Sequence, residues 1–286
     1  MTTIEVVIPS LRQEAVERLV LSLCLGTVVP TVVTVVSNEA QPFAVPPGSR
    51  VRLLRFESQD YCIGELDVAL RQNVGLFTTE CDLIVIQGDD QIAPPTMIAD
   101  TIEGMEGKEY LWGNHRLIDF RGMTLEEIMA LPMERGASRE NPVPPARHGY
   151  WSCYGGMFAA QTSLIHEVGG FDMAFLGRHA REDQQLGYRL MKRAGESGVL
   201  IEEPPFSWHP IELRQGNVRE HLPWLPAITN SCGDHQWSEV LIGGIKFVRC
   251  TVCPAQRFGD AEERLFRGEV IIPYRPDWVQ TTSVWL

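Results

Sequence analysis

The sequence predicts an α/β fold, a three-layer α/β/α sandwich with a mostly parallel sheet, and three observations predict it. Short β-branched runs recur along the first third of the chain, stretches with apolar residues at helical spacing separate them, and an acidic turn follows the fourth run directly. Strand, helix and strand in repetition join parallel neighbours through crossovers and leave helices on the faces of the sheet.

The elements follow in order. Ile4 to Ile8 is a short apolar run ending in Pro9-Ser10, as a buried parallel strand would. Val16, Leu19, Val20 and Leu23 then recur at helical spacing, and Ser10 and Gln13 have the spacing of a capping box. Val32 to Val36 is a second strand and Val51 to Phe56 a third. A helical stretch around Leu66 to Phe77 precedes the fourth strand, Asp82 to Ile86. From Gly104 to Arg147 the pattern loosens, and Asn141-Pro142-Val143-Pro144-Pro145 reads as a loop. Val168-Gly169-Gly170-Phe171-Asp172 is a turn, followed by a helix from about Arg181 to Ala194 that Gly195 stops. From Asn217 onward Trp, Pro and Cys accumulate, which divides the chain into a domain over 1–216 and an appended segment over 217–286. Its tail, Val270 to Leu286, is apolar and aromatic enough to pack on the main domain or on another subunit.

Composition bounds the function. With 286 residues, 44% hydrophobic and 22% charged, the chain can bury a large core. A net charge of −12 is the wrong sign for a broad grip on nucleic acid or anionic lipid, so nucleic acid is a less favoured partner. An anionic ligand then needs a metal ion, helix N-termini or a few placed arginines. There is no basic leader at Met1-Thr2-Thr3 and no run near the roughly 20 apolar residues that span a bilayer. The expectation is a cytoplasmic protein without membrane insertion. Seven cysteines, an odd number with Cys24, Cys62, Cys81 and Cys153 scattered and Cys232, Cys250 and Cys253 clustered, argue against a disulfide framework.

Three constellations carry chemistry. Gln87-Gly88-Asp89-Asp90-Gln91 follows the fourth strand, at the carboxyl end where open α/β sheets gather ligands. Two carboxylates and an amide there can hold a divalent ion that also holds a diphosphate; the plainer alternative is a solvated turn. Glu182 and Asp183 fall in the first turn of a helix, whose dipole favours ionised carboxylates. Such a carboxylate can take a proton from an attacking hydroxyl, or it can simply stabilise the helix start. Cys232-x-x-His235 and Cys250-x-x-Cys253, separated by 14 residues, have the spacing of a tetrahedral Zn²⁺ site. With all four positions committed, a structural zinc-ribbon-like segment is favoured over a catalytic site. Ordinary cysteines beside a surface histidine are the alternative.

Pro9-Ser10, Arg71-Gln72-Asn73-Val74-Gly75, Asp89-Asp90-Gln91, Gly155-Gly156, Gly169-Gly170-Phe171-Asp172 and Glu182-Asp183 stand in the order seen in family 2 glycosyltransferases, which the chain resembles over about residues 4–210. The resemblance implies a GT-A fold for 1–216, a nucleoside diphosphate sugar donor (uridine by default), a Mg²⁺ or Mn²⁺ ion, and inversion at the anomeric carbon. By that likeness Asp183 is the general base on the acceptor hydroxyl and Glu182 helps to orient acceptor or donor sugar. Asp89 and Asp90 match the first two positions of the family's Asp-x-Asp motif, with Gln91 at the third, where an amide is a poorer ligand for a hard cation than a carboxylate. Gly155 and Gly156 would line the sugar site, and Pro9, Ser10, Arg71 and Asn73 would border the nucleotide. Where the family often sets an Asp against the base, this chain has Ser37, then Asn38 and Glu39. His209 lies where some GT-A enzymes bring a late histidine to the metal, a ligand better suited to Mn²⁺ than to Mg²⁺; packing beside Trp208 is the alternative. Tyr150, Trp151 and Tyr154 precede Gly155 and either stack on an acceptor or pack in the core.

The implied activity is sugar transfer to a soluble acceptor, a protein, a glycan or a small molecule. Two other readings stay open. One is a zinc-stapled, non-catalytic binding module on a degenerate GT-A fold, which Gln91 and Ser37 favour and Glu182-Asp183 oppose. The other is a sugar nucleotidyltransferase, which would carry a Gly-rich loop where this chain has Pro9-Ser10-Leu11-Arg12.

Overall fold

The computed structural model describes residues 2–10, 12–58, 68–133, 137–138, 157–173, 182–195, 206–210, 237–242, 245–250, 256–257 and 274–286. In chain order the elements are β1 (Ile4–Pro9), α1 (Gln13–Cys24), β2 (Val32–Val36), β3 (Val51–Ser58), α2 (Val68–Leu76), β4 (Leu83–Gln87), α3 (Met97–Gly104), β5 (Tyr110–Trp112), β6 (Asn114–Ile118), α4 (Leu125–Met129), β7 (Ala137–Ser138), β8 (Met157–Gln161), α5 (Thr162–Val168), α6 (Glu182–Ala194), β9 (Phe206–Pro210), β10 (Trp237–Ile242), β11 (Ile245–Cys250), β12 (Gln256–Arg257) and β13 (Val279–Trp285).

The main sheet has seven strands in the order β13-β3-β2-β1-β4-β8-β5. β3, β2, β1 and β4 run parallel, β8 runs antiparallel to β4 and β5, and β13 runs antiparallel to β3. Strand residues alternate between two apolar clusters. Ile4, Val6 and Ile8 meet Val16, Leu19, Val20 and Leu23 of α1 and Met97 and Ile98 of α3. On the opposite face Val7, Ile84 and Ile86 meet Leu70 and Val74 of α2, Leu164 and Ile165 of α5, and Leu186 and Leu190 of α6. Sheet and helices thus form a mixed α/β architecture with a helical layer on each face, and each fully buried valine or leucine contributes about 1.5–3 kcal/mol.

Two positions show why small or charged residues interrupt these apolar runs. Gly75 lies where α2 crosses β1 and β2, and a Cβ there would run into a Val7 methyl. Glu5, on β1, is 2% exposed because Arg52 Nη2 donates to its Oε1 at 2.8 Å and the Thr34 hydroxyl donates to the same oxygen.

Boundaries sit close to those read from sequence, with one correction at α1. Ser10 and Gln13 form no capping box: the helix starts at Gln13, Arg12 is its N-cap, and no side chain caps it. The Ser10 hydroxyl is taken by Asp89 instead, and the Gln13 carboxamide by Glu17 and Gln41. A true capping box stands at α4, where Thr124 and Glu127 satisfy each other's backbone N–H groups.

Two smaller sheets complete the fold. β6 pairs with β7 and, in parallel, with β9, under a third cluster made by Ile92, Ile118, Phe120, Ile128, Leu131 and Trp208. β10, β11 and β12 form an antiparallel meander. The last described stretch of chain returns to the main sheet, with β13 pairing along its length with β3, from Val279 opposite Ser58 to Trp285 opposite Arg52. No helix among the described residues is long and apolar enough to cross a membrane.

Candidate functional site

The carboxyl ends of β1, β2 and β4 lie side by side, because these strands are parallel neighbours. Each is followed by polar residues, which the register brings together.

After β1, Ser10 is buried, and its backbone N–H bonds Val36 O at 3.1 Å. Its hydroxyl donates to Asp89 Oδ2 at 2.9 Å and accepts from the Arg12 N–H at 3.2 Å. Arg12 reaches the same acidic turn. Its Nε lies 3.3 Å from Asp89 Oδ2, its Nη2 bonds Asp89 Oδ1, and Nη2 is 3.6 Å from Asp90 Oδ2. Burial works against the Arg12 charge, but hydrogen bonding and attraction from Asp89, then Asp90, outweigh it and raise the guanidinium pKa above its ordinary value.

After β2, the Ser37 hydroxyl accepts the Ala40 N–H at 3.1 Å and donates to Glu39 Oε2 at 3.2 Å. Asn38 Oδ1 accepts the Phe56 N–H at 2.9 Å, tying this turn to β3. Glu39 meets Arg71 of α2 through two parallel hydrogen bonds, Nη1 to Oε2 at 3.0 Å and Nη2 to Oε1 at 3.1 Å. Arg71 also donates to Ser10 O at 3.3 Å and lies 5.5 Å over the Phe56 ring, so it binds the ends of β1, β2 and β3 into one wall. Partial burial would raise the Glu39 pKa, yet Arg71, with help from the backbone and Ser37, brings it below the ordinary carboxylate value.

After β4, Asp89 is nearly enclosed and Asp90 more open, with side chains 9% and 25% exposed. Gln91 is buried, and its Oε1 accepts the Ser207 hydroxyl of β9. Ile92 and Trp208 exchange N–H···O bonds of 2.9 Å each, so β9, and with it the His209 backbone, runs beside the acidic turn. The Gln87 carboxamide is fully buried, and neither its nitrogen nor its oxygen has a hydrogen-bond partner among the described residues.

Two adjacent carboxylates are donors of the kind a hard divalent ion takes. Asp90 is the more exposed of the two, whereas both oxygens of Asp89 face Arg12, so an ion reaching Asp89 has to take the place of the guanidinium. Among the described residues no group of three or more His, Cys, Asp or Glu is arranged to hold a metal ion.

The second motif region is built from α2 and the turn before α6. Asn73 is fully buried and clasps Phe171: its Oδ1 accepts the Phe171 N–H at 2.8 Å and its Nδ2 donates to Phe171 O at 2.8 Å. Its amide is therefore spent inside the protein. Gly170 has φ of 65°, and a Cβ there would collide with Asn73 Oδ1, so the turn needs glycine on both counts. Asp172 is buried and accepts from Gln185 Nε2 at 3.2 Å, and Gln185 Oε1 accepts from Arg189 Nε at 2.8 Å. Desolvation lowers the Arg189 pKa to about 10 despite the charge of Asp172. These contacts fix the start of α6, where Glu182 is the first residue and Asp183, half-buried, the second.

Pro9, Ser10, Ser37, Asn38, Arg71, Asp89 and Asp90 thus gather at one edge of the sheet, and Gln91 faces inward to β9. Gly155, Gly156, Tyr150, Trp151 and Tyr154 lie outside the described residues, as do the Glu182 and His209 side chains. So do Cys232, His235 and Cys253, while Cys250 ends β11. Sequence reasoning passed over Arg12 and Glu39 as site residues. The signal was there: both are charged residues within three positions of a parallel strand's carboxyl end.

No family model matches the chain, and no curated protein matches it. Among solved structures it is similar to S. aureus TarS, at a TM-score of 0.47 and 13% identity over 74% of this chain and 37% of that one. It is also similar to S. aureus TarS 1-349, at 0.44 and 12% over 73% of this chain and 60% of that one. A third is glucosyl-3-phosphoglycerate synthase from Mycobacterium tuberculosis in complex with Mn²⁺, UDP-glucose and phosphoglyceric acid, at 0.42 and 18% over 69% and 68% of the two chains. The chain spans 37% of the first of these proteins and 60% of the second. Likeness at this level concerns the path of the backbone and bears on neither ligand nor chemistry.

Proposed function

We propose that this chain is an inverting glycosyltransferase that moves a sugar from a nucleotide-diphosphate donor, a UDP-sugar by default, to an acceptor hydroxyl. The observation that supports it most is the convergence of Ser10, Arg12, Glu39, Arg71, Asp89 and Asp90 at the carboxyl ends of adjacent parallel strands. An anionic nucleotide meets there the partly exposed guanidinium of Arg12, with Arg71 buried behind it in its pair with Glu39, and a pair of carboxylates suited to a cation. The six motifs in family order support the same reading.

In this reading Pro9, Ser10, Ser37, Asn38, Arg71 and Glu39 border the nucleotide, and Gly155 and Gly156 line the sugar. Asp183 takes the proton of the acceptor hydroxyl as its oxygen attacks the anomeric carbon. The bond from that carbon to the diphosphate breaks on the opposite side, and the diphosphate leaves with the electron pair. A divalent ion, Mn²⁺ or Mg²⁺, with Asp89 and Asp90 as ligands, would supply charge neutralisation for the leaving diphosphate. His209 becomes a further ligand candidate through the pairing of Trp208 with Ile92. Glu182 orients acceptor or donor sugar, and the acceptor is soluble.

Cys232, His235, Cys250 and Cys253 are proposed to hold a structural Zn²⁺. The register of the β10–β11 hairpin supports this, since it sets Cys250 opposite Trp237, so that both ligand pairs adjoin the same end of the hairpin in sequence.

The test is diphosphate release from a panel of nucleotide sugars with Mn²⁺ or Mg²⁺, comparing the parent with Asp183→Asn and Asp90→Asn, with UDP binding read by thermal shift. Metal-dependent turnover of one donor, reduced about 10²–10⁴-fold in Asp183→Asn, is expected. A folded parent that neither binds UDP nor turns over any donor would overturn the proposal.

A further inference from the structure

The acidic pair after β4 already carries a cation, and it comes from the chain itself. Arg12 Nη2 bonds Asp89 Oδ1 and Nε lies 3.3 Å from Asp89 Oδ2, so one guanidinium spans both oxygens of one carboxylate. The Ser10 hydroxyl, at 2.9 Å from the same Oδ2, holds that carboxylate in place. The two partners differ in freedom. The Asp89 side chain is 9% exposed and fixed at the base of the turn, whereas that of Arg12 is 27% exposed. Arg12 is also the extended N-cap residue of α1, outside the helical turns, so its head can swing away without moving the helix.

A hard divalent ion needs the same oxygen lone pairs, at about 2.0–2.6 Å. It would then sit about 4 Å from the guanidinium, where two like charges oppose each other strongly in a part-buried site. Ion and guanidinium therefore exclude one another at Asp89.

We propose that Arg12 is a resident counter-cation that competes with a divalent ion for Asp89, and that an anionic diphosphate draws the guanidinium away and so admits the ion. The identity of that anion rests on the transferase reading; the competition itself does not. Arg12 then acts as a positioning residue for metal entry, coupling it to arrival of the donor.

The experiment is a Mn²⁺ titration of the whole chain in low-salt buffer without nucleotide, with free Mn²⁺ read by electron paramagnetic resonance. The parent, Arg12→Gln, Asp89→Asn and the double variant are compared, with Arg12→Met taking the place of Arg12→Gln should the latter not fold. R12Q is expected to bind Mn²⁺ at least about tenfold more tightly than the parent, and the gain should vanish in the Asp89→Asn background. Equal or weaker Mn²⁺ binding by the Arg12 variant, or a gain that survives without Asp89, overturns the proposal. Added UDP should then raise Mn²⁺ affinity by a larger factor in the parent than in R12Q; equal factors overturn the coupling. The two proposals fail separately. A chain that binds no UDP refutes the transferase reading and leaves the nucleotide-free comparison intact. Unchanged Mn²⁺ affinity in R12Q, with UDP still bound, refutes only the competition.

Discussion

Asn73→Ala should be among the most damaging single changes in the molecule, and its cost follows from two hydrogen bonds. The Asn73 carboxamide accepts the Phe171 N–H and donates to the Phe171 carbonyl, both at 2.8 Å, and the side chain is 0% exposed. Alanine removes both partners and leaves two backbone groups buried without replacement, at about 1–3 kcal/mol each. The sum, about 2–6 kcal/mol, is a large part of the roughly 5–15 kcal/mol that holds a typical domain together. Asn73→Asp should be no milder at neutral pH. It keeps the acceptor for Phe171 N–H but turns a second oxygen toward the Phe171 carbonyl and buries a charge. Urea unfolding followed by tryptophan fluorescence measures the loss, and hydrogen exchange at the Phe171 amide localises it. A loss below about 1 kcal/mol with an unchanged urea slope would refute the reasoning, because the clasp would then be dispensable.

Further perturbations follow from other contacts. Gly75→Ala forces α2 away from Val7 and should cost about 1–3 kcal/mol by thermal or urea unfolding; a neutral result would mean that helix and sheet separate freely. The pairing of Glu39 with Arg71 holds the Glu39 pKa below its ordinary 4.5, so its stabilisation is present above that pH and lost as pH falls through the folded value. The Tm difference between the parent and Glu39→Gln, positive at pH 7, should therefore shrink below about pH 4.5; a difference that stays constant to pH 3 contradicts the assignment. Protein purified without added metal should carry about one equivalent of zinc by plasma mass spectrometry, lost in Cys253→Ser; a metal-free parent that unfolds no earlier would remove the zinc proposal.

The first half of the fold was legible because periodicity reports which face of an element is buried. Val16, Leu19, Val20 and Leu23 are all buried on one face of α1, and Val32 to Val36 is β2 to the residue. What periodicity does not report is which polar side chain satisfies which. Ser10 and Gln13 fit a capping-box spacing, yet the Ser10 hydroxyl has a stronger claim on it, an ionised carboxylate brought close by the parallel pairing of β1 with β4. Asn73 reads from sequence as one of a set of residues around a nucleotide, and only the packing of α2 against the turn before α6 reveals what its amide groups meet. Arg12 and Glu39 do not read as site residues from sequence for a related reason. Their partners, Asp89 and Arg71, are distant in sequence, and an ion pair leaves no local pattern. The return of the tail to β3 was likewise open, since an edge strand with both faces exposed has no hydrophobic alternation to announce it.

That last strand has a consequence for how the molecule is made. β3 leaves the ribosome soon after its neighbour β2, but its other edge is matched by β13, which is synthesised far later in the chain. Until then a row of β3 amides and carbonyls stands open, on a strand whose side chains include Leu53, Leu54 and Phe56. The nascent protein must keep that edge from neighbouring chains throughout elongation, and closure of the sheet is a late, long-range event. A chain cut before Val279 should thus be most hazardous in the test tube as an aggregate, not as a loosened monomer.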